Sequence, residues 1–144
     1  MEWKHPELPY TISDDPKLLD EEQIFAWLST TYWAGERPRE MIVKAISQSL
    51  CFGVYHESGQ AGFVRVVTDY ATFSWVCDVF IDPAHRGKGL GKWLMEVIVQ
   101  HPAIRHTNMT LATRDAHGLY EKYGFVRREM MRRMAMAEAP MPLS

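Results

Sequence analysis

The apolar positions along this chain change period twice. Residues 10–13 read as a short opening strand that Asp14-Asp15-Pro16 brings to an end. Asp20 is placed to cap a helix running to about residue 30, with Ile24, Phe25, Trp27 and Leu28 on one side. After the break Gly35-Glu36-Arg37-Pro38, a second helix over 39–49 turns Met41, Ile42, Ala45 and Ile46 inward. The period then falls to two. Strands are predicted over 50–56, 61–68 and 71–81, the first two joined by a turn at Glu57-Ser58-Gly59-Gln60, so that the three form an antiparallel meander. Helical spacing returns over 92–99, followed by a strand at 109–113, a short helix at 115–123, a last strand at 126–136 and a loose tail. With no repeat, linker or low-complexity segment, this order predicts one α+β domain, a single mixed sheet with helices on its faces.

Composition narrows the function classes. The 144 residues are enough for a self-sufficient core. A formal charge of −2 argues against a general nucleic-acid binder, so an anionic ligand must be held by a local patch. Cys51 and Cys77 are too few for a disulfide scaffold and read as free buried thiols of a reducing compartment. Neither a signal-like apolar stretch at the N-terminus nor an apolar run of membrane-spanning length is seen, and the expectation is a cytoplasmic protein with no membrane partner.

One segment carries chemistry. The strand ending Val79-Phe80-Ile81 is stopped by Asp82-Pro83, and Arg86-Gly87-Lys88-Gly89-Leu90-Gly91-Lys92 then opens the next helix. A helix start presents main-chain N–H groups without internal partners and the positive end of the helix dipole, which together stabilise an anion. Glycine lets oxygen atoms approach the backbone, and Arg86, Lys88 and Lys92 add attraction at longer range. On this reading Gly89→Val abolishes ligand binding and leaves the fold mostly intact. A P-loop would need Ser or Thr after Gly-Lys, where Trp93 stands. The dinucleotide fingerprint would need a third glycine where Leu94 or Lys92 stands.

The remaining pattern, Arg-x-x-Gly-x-Gly after an apolar-Asp-Pro turn, resembles the pyrophosphate loop of the GNAT superfamily of N-acetyltransferases. A second stretch, Ala116-His-Gly-Leu-Tyr120-Glu-Lys-Tyr-Gly124-Phe125, resembles the Ala-x-x-x-Tyr-x-x-x-Gly-Phe signature of the same family. Together they cover about the second half of the chain. The resemblance implies a mostly antiparallel sheet of six to seven strands in the GNAT-like acyl-CoA N-acyltransferase fold, spanning residues 1–144 as one domain. It also implies direct transfer of an acetyl group from acetyl-CoA to a primary amine of a small molecule, amino acid or peptide, with no metal. By the same resemblance Val79, Phe80 and Ile81 flank the pantetheine arm, backbone groups of Val79 and Ile81 pairing with it as an added strand does. Arg86, Gly87, Lys88, Gly89, Leu90, Gly91 and Lys92 surround its diphosphate. Homodimerisation is a tendency of the family on which this sequence is silent.

Two proton problems arise in such a transfer. An alkylammonium with a pKa near 10 is neutral in only about one molecule in a thousand at pH 7, and a thiolate of pKa near 8.5 leaves more readily beside a donor. Tyr120, the tyrosine of the signature, is the candidate acid; the alternative is a core tyrosine, the reading favoured for Tyr123. Asp78, a carboxylate inside an apolar strand, is either a base or substrate anchor, or one half of a structural ion pair with an arginine of the last strand. On strict alternation it shares a face with Val76 and Phe80, unless a bulge re-aims it. Thr113 stands where many relatives carry a cofactor-orienting asparagine, Asp115 is placed to cap its short helix, and His117 reads as a solvated side chain. Family resemblance puts the acceptor pocket between the first two helices, where Tyr32 and Trp33 either line it or plug the core edge. Glu36 there is suited to attract a cation. Arg127, Arg128, Arg132 and Arg133 read as charges guarding an edge strand. Two rival functions use the same loop: a CoA-binding sensor or interaction module without turnover, and a binder of acidic metabolites or nucleotides with no affinity for the pantetheine arm.

Overall fold

A computed structural model describes residues 1–135. Strands β1 (Glu2–Lys4), β2 (Thr11–Ser13), β3 (Leu50–His56), β4 (Gly59–Thr68), β5 (Phe73–Ile81) and β6 (Asn108–Thr110) form one sheet in chain order. Every neighbouring pair is antiparallel except β5 and β6, which are parallel and joined through helix α3 (Leu90–Gln100). Helices α1 (Glu21–Leu28) and α2 (Arg39–Ser47) precede β3, and α4 (His117–Glu121) follows β6. The mixed, mostly antiparallel sheet with flanking helices is the predicted class.

Each face of the sheet buries its own apolar cluster. Phe52, Val54, Val64, Val66 and Val76 meet Leu90, Leu94, Met95 and Ile98 of α3 on one side. On the other, Cys51, Phe63 and Phe80 meet Ile24, Trp27 and Leu28 of α1 and Ile42 and Ile46 of α2. Alternation along β3 and β4 produces this division, because successive side chains leave a strand on opposite faces. Asp20 does cap α1, its carboxylate accepting from the Gln23 N–H at 3.1 Å.

Three sequence readings need correction. The opening strand has a partner in β1, too short and with too little apolar content to show in the sequence, which Trp3 anchors 6.1 Å from the Phe52 ring. Of the strand predicted over 126–136, residues 126–135 belong to no strand or helix, and Met136 and the tail lie outside the described residues. Arginines recur on both alternate faces of that stretch, Arg128 and Arg132 on one and Arg127 and Arg133 on the other, so neither face is apolar enough to bury. Helix α4 begins at His117 with Ala116 at the cap position and no side chain capping it, so Asp115 is not its cap; the Thr113 hydroxyl accepts from the Ala116 N–H at 3.0 Å.

Candidate active site: a splayed strand pair leading to an uncapped helix

Strands β5 and β6 pair only at Phe73, Ser74 and Trp75, opposite Asn108, Met109 and Thr110. Beyond that point β5 continues to Ile81 without a β6 partner. The register against β4 slips between Phe63 and Arg65, which oppose Phe80 and Cys77, so β5 carries one extra residue there. Asp78 absorbs the bulge with φ of 55°. As a result Cys77 and Asp78, adjacent in sequence, both lie on the α1–α2 side, while Val79 and Ile81 pack toward the α3 cluster. Phe80 turns back to stack 5.6 Å from Trp27. Strict alternation, which grouped Asp78 with Val76, fails at this residue.

The strand end is fixed before the glycine loop starts. Asp82 donates its N–H to the Ala61 carbonyl at 2.9 Å, accepts from Ala84 N–H at 2.8 Å, and takes the Trp27 indole N–H at 3.2 Å. A short 3-10 turn, Pro83–His85, leads into the loop. Gly87 and Gly89 hold φ of 79° and 76°, left-handed values that disfavour other residues, and Gly89 is the N-cap of α3 without a side chain to cap it. Leu90 is buried and pins the helix start to the core. The first-turn N–H groups of Leu90, Gly91 and Lys92 therefore face outward with no helical partner. A Cβ at Gly91 would meet nothing within 4 Å, and its φ is not in the left-handed range. Neither packing nor backbone conformation inside the protein accounts for glycine there; close approach of a ligand would. This cradle of free N–H groups suits a diphosphate.

The cations around it are set differently. Arg86 donates from Nε to the Ile81 carbonyl at 2.8 Å and lies 5.2 Å from the Phe80 ring centre. Lys88 donates to the Tyr10 hydroxyl at 3.1 Å, and that hydroxyl is 2.7 Å from His85 Nδ1. Lys92 makes no side-chain hydrogen bond or ion pair among the described residues. Tyr10 and His85 tie β2 to the loop, a link that nothing in their sequence spacing announces.

Asp78 is 5% exposed and its carboxylate is saturated. Oδ1 accepts from the Trp33 indole and from Arg37 Nη1, both at 3.1 Å; Oδ2 accepts from Arg37 Nη1 at 3.0 Å and from Arg65 Nε at 2.9 Å. These four bonds match the roughly four lone-pair sites of an ionised carboxylate. Its ion-pair partners thus come from the α1–α2 loop and β4, not from residues 126–136. Burial pushes the Cys51 thiol up to about 12 and the Cys77 thiol up to about 11, which keeps both neutral beside this cluster.

Tyr120 lies on α4, half-buried, 6.1 Å from the Phe125 ring. Burial first, and then the Asp115 charge, raise its pKa above the ordinary phenol value. It lines a groove of about 1000 Å³ beside β6, together with Leu111, Thr113 and His117; no glycine-loop residue borders that groove. Tyr123 connects the two parts of the site, donating its hydroxyl to the Lys92 carbonyl at 3.2 Å.

Tyr32 and Trp33 do not plug the core; Ala34, 1% exposed, takes that place, while they stay 65% and 41% exposed. Their rings meet edge-on at 5.0 Å, and the Arg114 guanidinium sits 3.4 Å from the Tyr32 ring centre. The α1–α2 loop thus touches the β6–α4 loop at the open end of the splay. Glu36 is exposed there and forms no ion pair among the described residues. Among those residues no group of three His, Cys, Asp or Glu could hold a metal ion, and no helix is long and apolar enough to cross a membrane.

Comparison with known proteins agrees with this geometry. A family model described as Acetyltransferase (GNAT) domain matches residues 47–127. A curated Gibberella zeae protein bearing an acetyltransferase name is 34% identical over a match spanning 62% of this chain and 62% of its own length. A solved Xanthomonas campestris pv. campestris structure, described as belonging to the GNAT family, is 42% identical, with 88% of this chain and 93% of that one covered and a TM-score of 0.84. A Clostridium acetobutylicum structure containing acetyl-CoA shares the fold, with a TM-score of 0.64, 13% identity and coverage of 94% and 96%.

Proposed function

Because this chain belongs to the GNAT family of acetyltransferases, we propose that it transfers the acetyl group of acetyl-CoA directly to a primary amine of a small molecule, amino acid or peptide. The observation that carries the reading is the continuity of the binding surface: an unpaired β5 edge from the Asp78 bulge to Ile81 runs straight into the uncapped start of α3. An extended pantetheine arm suits the first part and a diphosphate the second. Acetyl-CoA supplies an activated thioester acyl group. The residues of the chain bind it, orient it and move protons around it.

Val79 and Ile81 offer main-chain groups to the arm, and the N–H groups of Leu90, Gly91 and Lys92 hold the diphosphate, with Gly87 and Gly89 giving the loop its shape. Arg86 steadies the strand end, and Lys88 and Lys92 add positive potential. In the transfer the thioester C–S bond breaks, a C–N bond forms, the amine loses a proton and the departing sulfur gains one. Tyr120, held as the neutral phenol well past physiological pH, is the group that donates to sulfur and then recovers a proton from water. Asp78 is read as a positioning residue. Each of its lone pairs is occupied by Trp33, Arg37 or Arg65, so accepting a substrate proton would mean breaking one of those bonds. The amine proton then leaves through water.

Two readouts test this together: whether acetyl-CoA raises the melting temperature, and whether free thiol appears when an amine is added. Stabilisation without thiol release across a broad amine panel would replace the enzyme with a CoA-binding module, and no stabilisation would remove the acetyl-CoA reading altogether.

A further inference from the structure

The charge beside the splay does not suit a bare amine. Two guanidiniums, Arg37 and Arg65, share one carboxylate, Asp78, at 3.0 and 2.9 Å, and the neighbouring thiols Cys51 and Cys77 are neutral. The cluster therefore holds one positive charge in excess. Arg65 is engaged, with Nε on Asp78 and Nη1 on the Ser49 hydroxyl at 3.2 Å. Arg37 is engaged only in part: Nη1 makes both of its bonds, Nε and Nη2 meet no acceptor among the described residues, and its side chain is 27% exposed.

A second cation stands in the same chain of contacts. Arg114 covers the Tyr32 ring, Tyr32 meets Trp33, and Trp33 donates to Asp78. Arg114 has no carboxylate partner among the described residues. The nearby acids in sequence, Glu36 and Asp115, are exposed and form no ion pair among those residues, and Asp115 acts on Tyr120 instead. Guanidinium charge in excess of carboxylate repels an ammonium and attracts a planar anion, which the donor fork fits in pairs.

We propose that the acceptor carries a carboxylate as well as its amine, a free amino acid or similar small amino carboxylate, whose carboxylate docks on Arg37 with Arg114 at the rim and aromatic Tyr32 and Trp33 against its body. This rests on the acetyltransferase reading. With the carboxylate held by the arginines, the amine is the end left to react. The excess positive charge also lowers the pKa of the bound ammonium, easing the proton loss that Asp78 is too occupied to assist.

The test measures acetyl-CoA-dependent thiol release with glycine, methionine, phenylalanine and leucine, each beside its decarboxylated amine and its amide. The amine pKa shifts in opposite directions in the two controls, so an advantage over both is due to the carboxylate. The expected kcat/KM advantage of the best amino acid is about ten- to hundredfold, the worth of one charge-assisted contact. Arg114→Gln and Arg37→Gln should each shrink that ratio at least fivefold while the acetyl-CoA melting shift stays as in the wild type. Equal or better turnover of the carboxylate-free amines, or an unchanged ratio in both variants, overturns the proposal. If no acceptor turns over, calorimetry with CoA and the N-acetyl amino acids against their amides decides it: tighter binding of the acids supports the proposal, and equal or weaker binding overturns it. Absence of any acetyl-CoA shift would instead count against the acetyltransferase reading.

Discussion

Replacing Gly91 by alanine should make the protein more stable and worse at binding acetyl-CoA. Gly91 is the second residue of α3, with ordinary helical backbone and open space where a Cβ would stand. A helical glycine costs up to about 1 kcal/mol relative to alanine, less in a first turn, so a gain of roughly 0.5 kcal/mol is expected. At about 2.1 cal/mol/K per residue, 144 residues unfold with an entropy near 0.3 kcal/mol/K, which converts that gain to about 2 °C in Tm. The new methyl tilts toward the helix N-terminus, over the N–H groups that would hold the diphosphate. Losing one charge-assisted hydrogen bond there costs about 1.5–3 kcal/mol, or a ten- to hundredfold rise in Kd by calorimetry. Gly118→Ala, at a second helical glycine with open space around it, serves as the control that changes stability without touching the loop. Gly91 is a cleaner probe than Gly89, whose φ of 76° makes Gly89→Val strained in itself and so unable to separate binding from folding. A Gly91→Ala protein with higher Tm and unchanged acetyl-CoA affinity would show that no anion rests on this helix start.

Tyr120→Phe should lower kcat about a hundredfold with little change in acetyl-CoA Kd, and the raised phenol pKa means that no alkaline fall in the wild-type rate below about pH 10 belongs to this residue; steady-state kinetics across pH check both. Asp78→Asn should destabilise by about 3–5 kcal/mol, because two guanidiniums, one of them buried, lose their counter-charge, and denaturant unfolding with an unchanged midpoint would contradict this. Cys51 and Cys77 should react slowly with a thiol reagent at pH 8 in the native protein and at once after unfolding, leaving released CoA as the main signal in the transfer assay. Their raised pKa values stabilise the fold fully below about pH 8.5, and that contribution is lost as pH rises through about 11 and about 12, which unfolding curves in alkaline buffer would show.

The segment proposed to hold the cofactor was legible as a strand, loop and helix start because it is local. Strand end, Asp-Pro stop, glycines and amphipathic helix are contiguous in sequence, and the structure places them as read, with β3, α1 and α3 within a few residues of expectation. The Asp78 side depends on long-range geometry. One inserted residue at Asp78 moves its carboxylate to the other face of the sheet, and period-two reasoning has no means of locating a bulge without knowing β4's register. Its partners Arg37 and Arg65 lie 41 and 13 residues away, a pairing visible only once α2 and β4 are in place. The stretch over 126–135 failed for a different reason: its arginine pairs interrupt the alternation that a strand needs to bury one face. Asp115 has no capping role because α4 starts later than the sequence suggests: Ala116 holds the cap position and no side chain caps the helix.

On the function proposed, a splayed β5 edge and an uncapped helix form one acetyl-CoA surface at which an amine is acylated. Mass spectrometry of an acceptor panel incubated with the protein and acetyl-CoA tests it most directly. The prediction is a 42 Da gain (about one acetyl for one amine hydrogen, set by the C–N bond formed) on at least one amine, with equimolar CoA thiol and a rate that falls in Tyr120→Phe. Panel members left unmodified, with acetyl-CoA bound but intact, would contradict it.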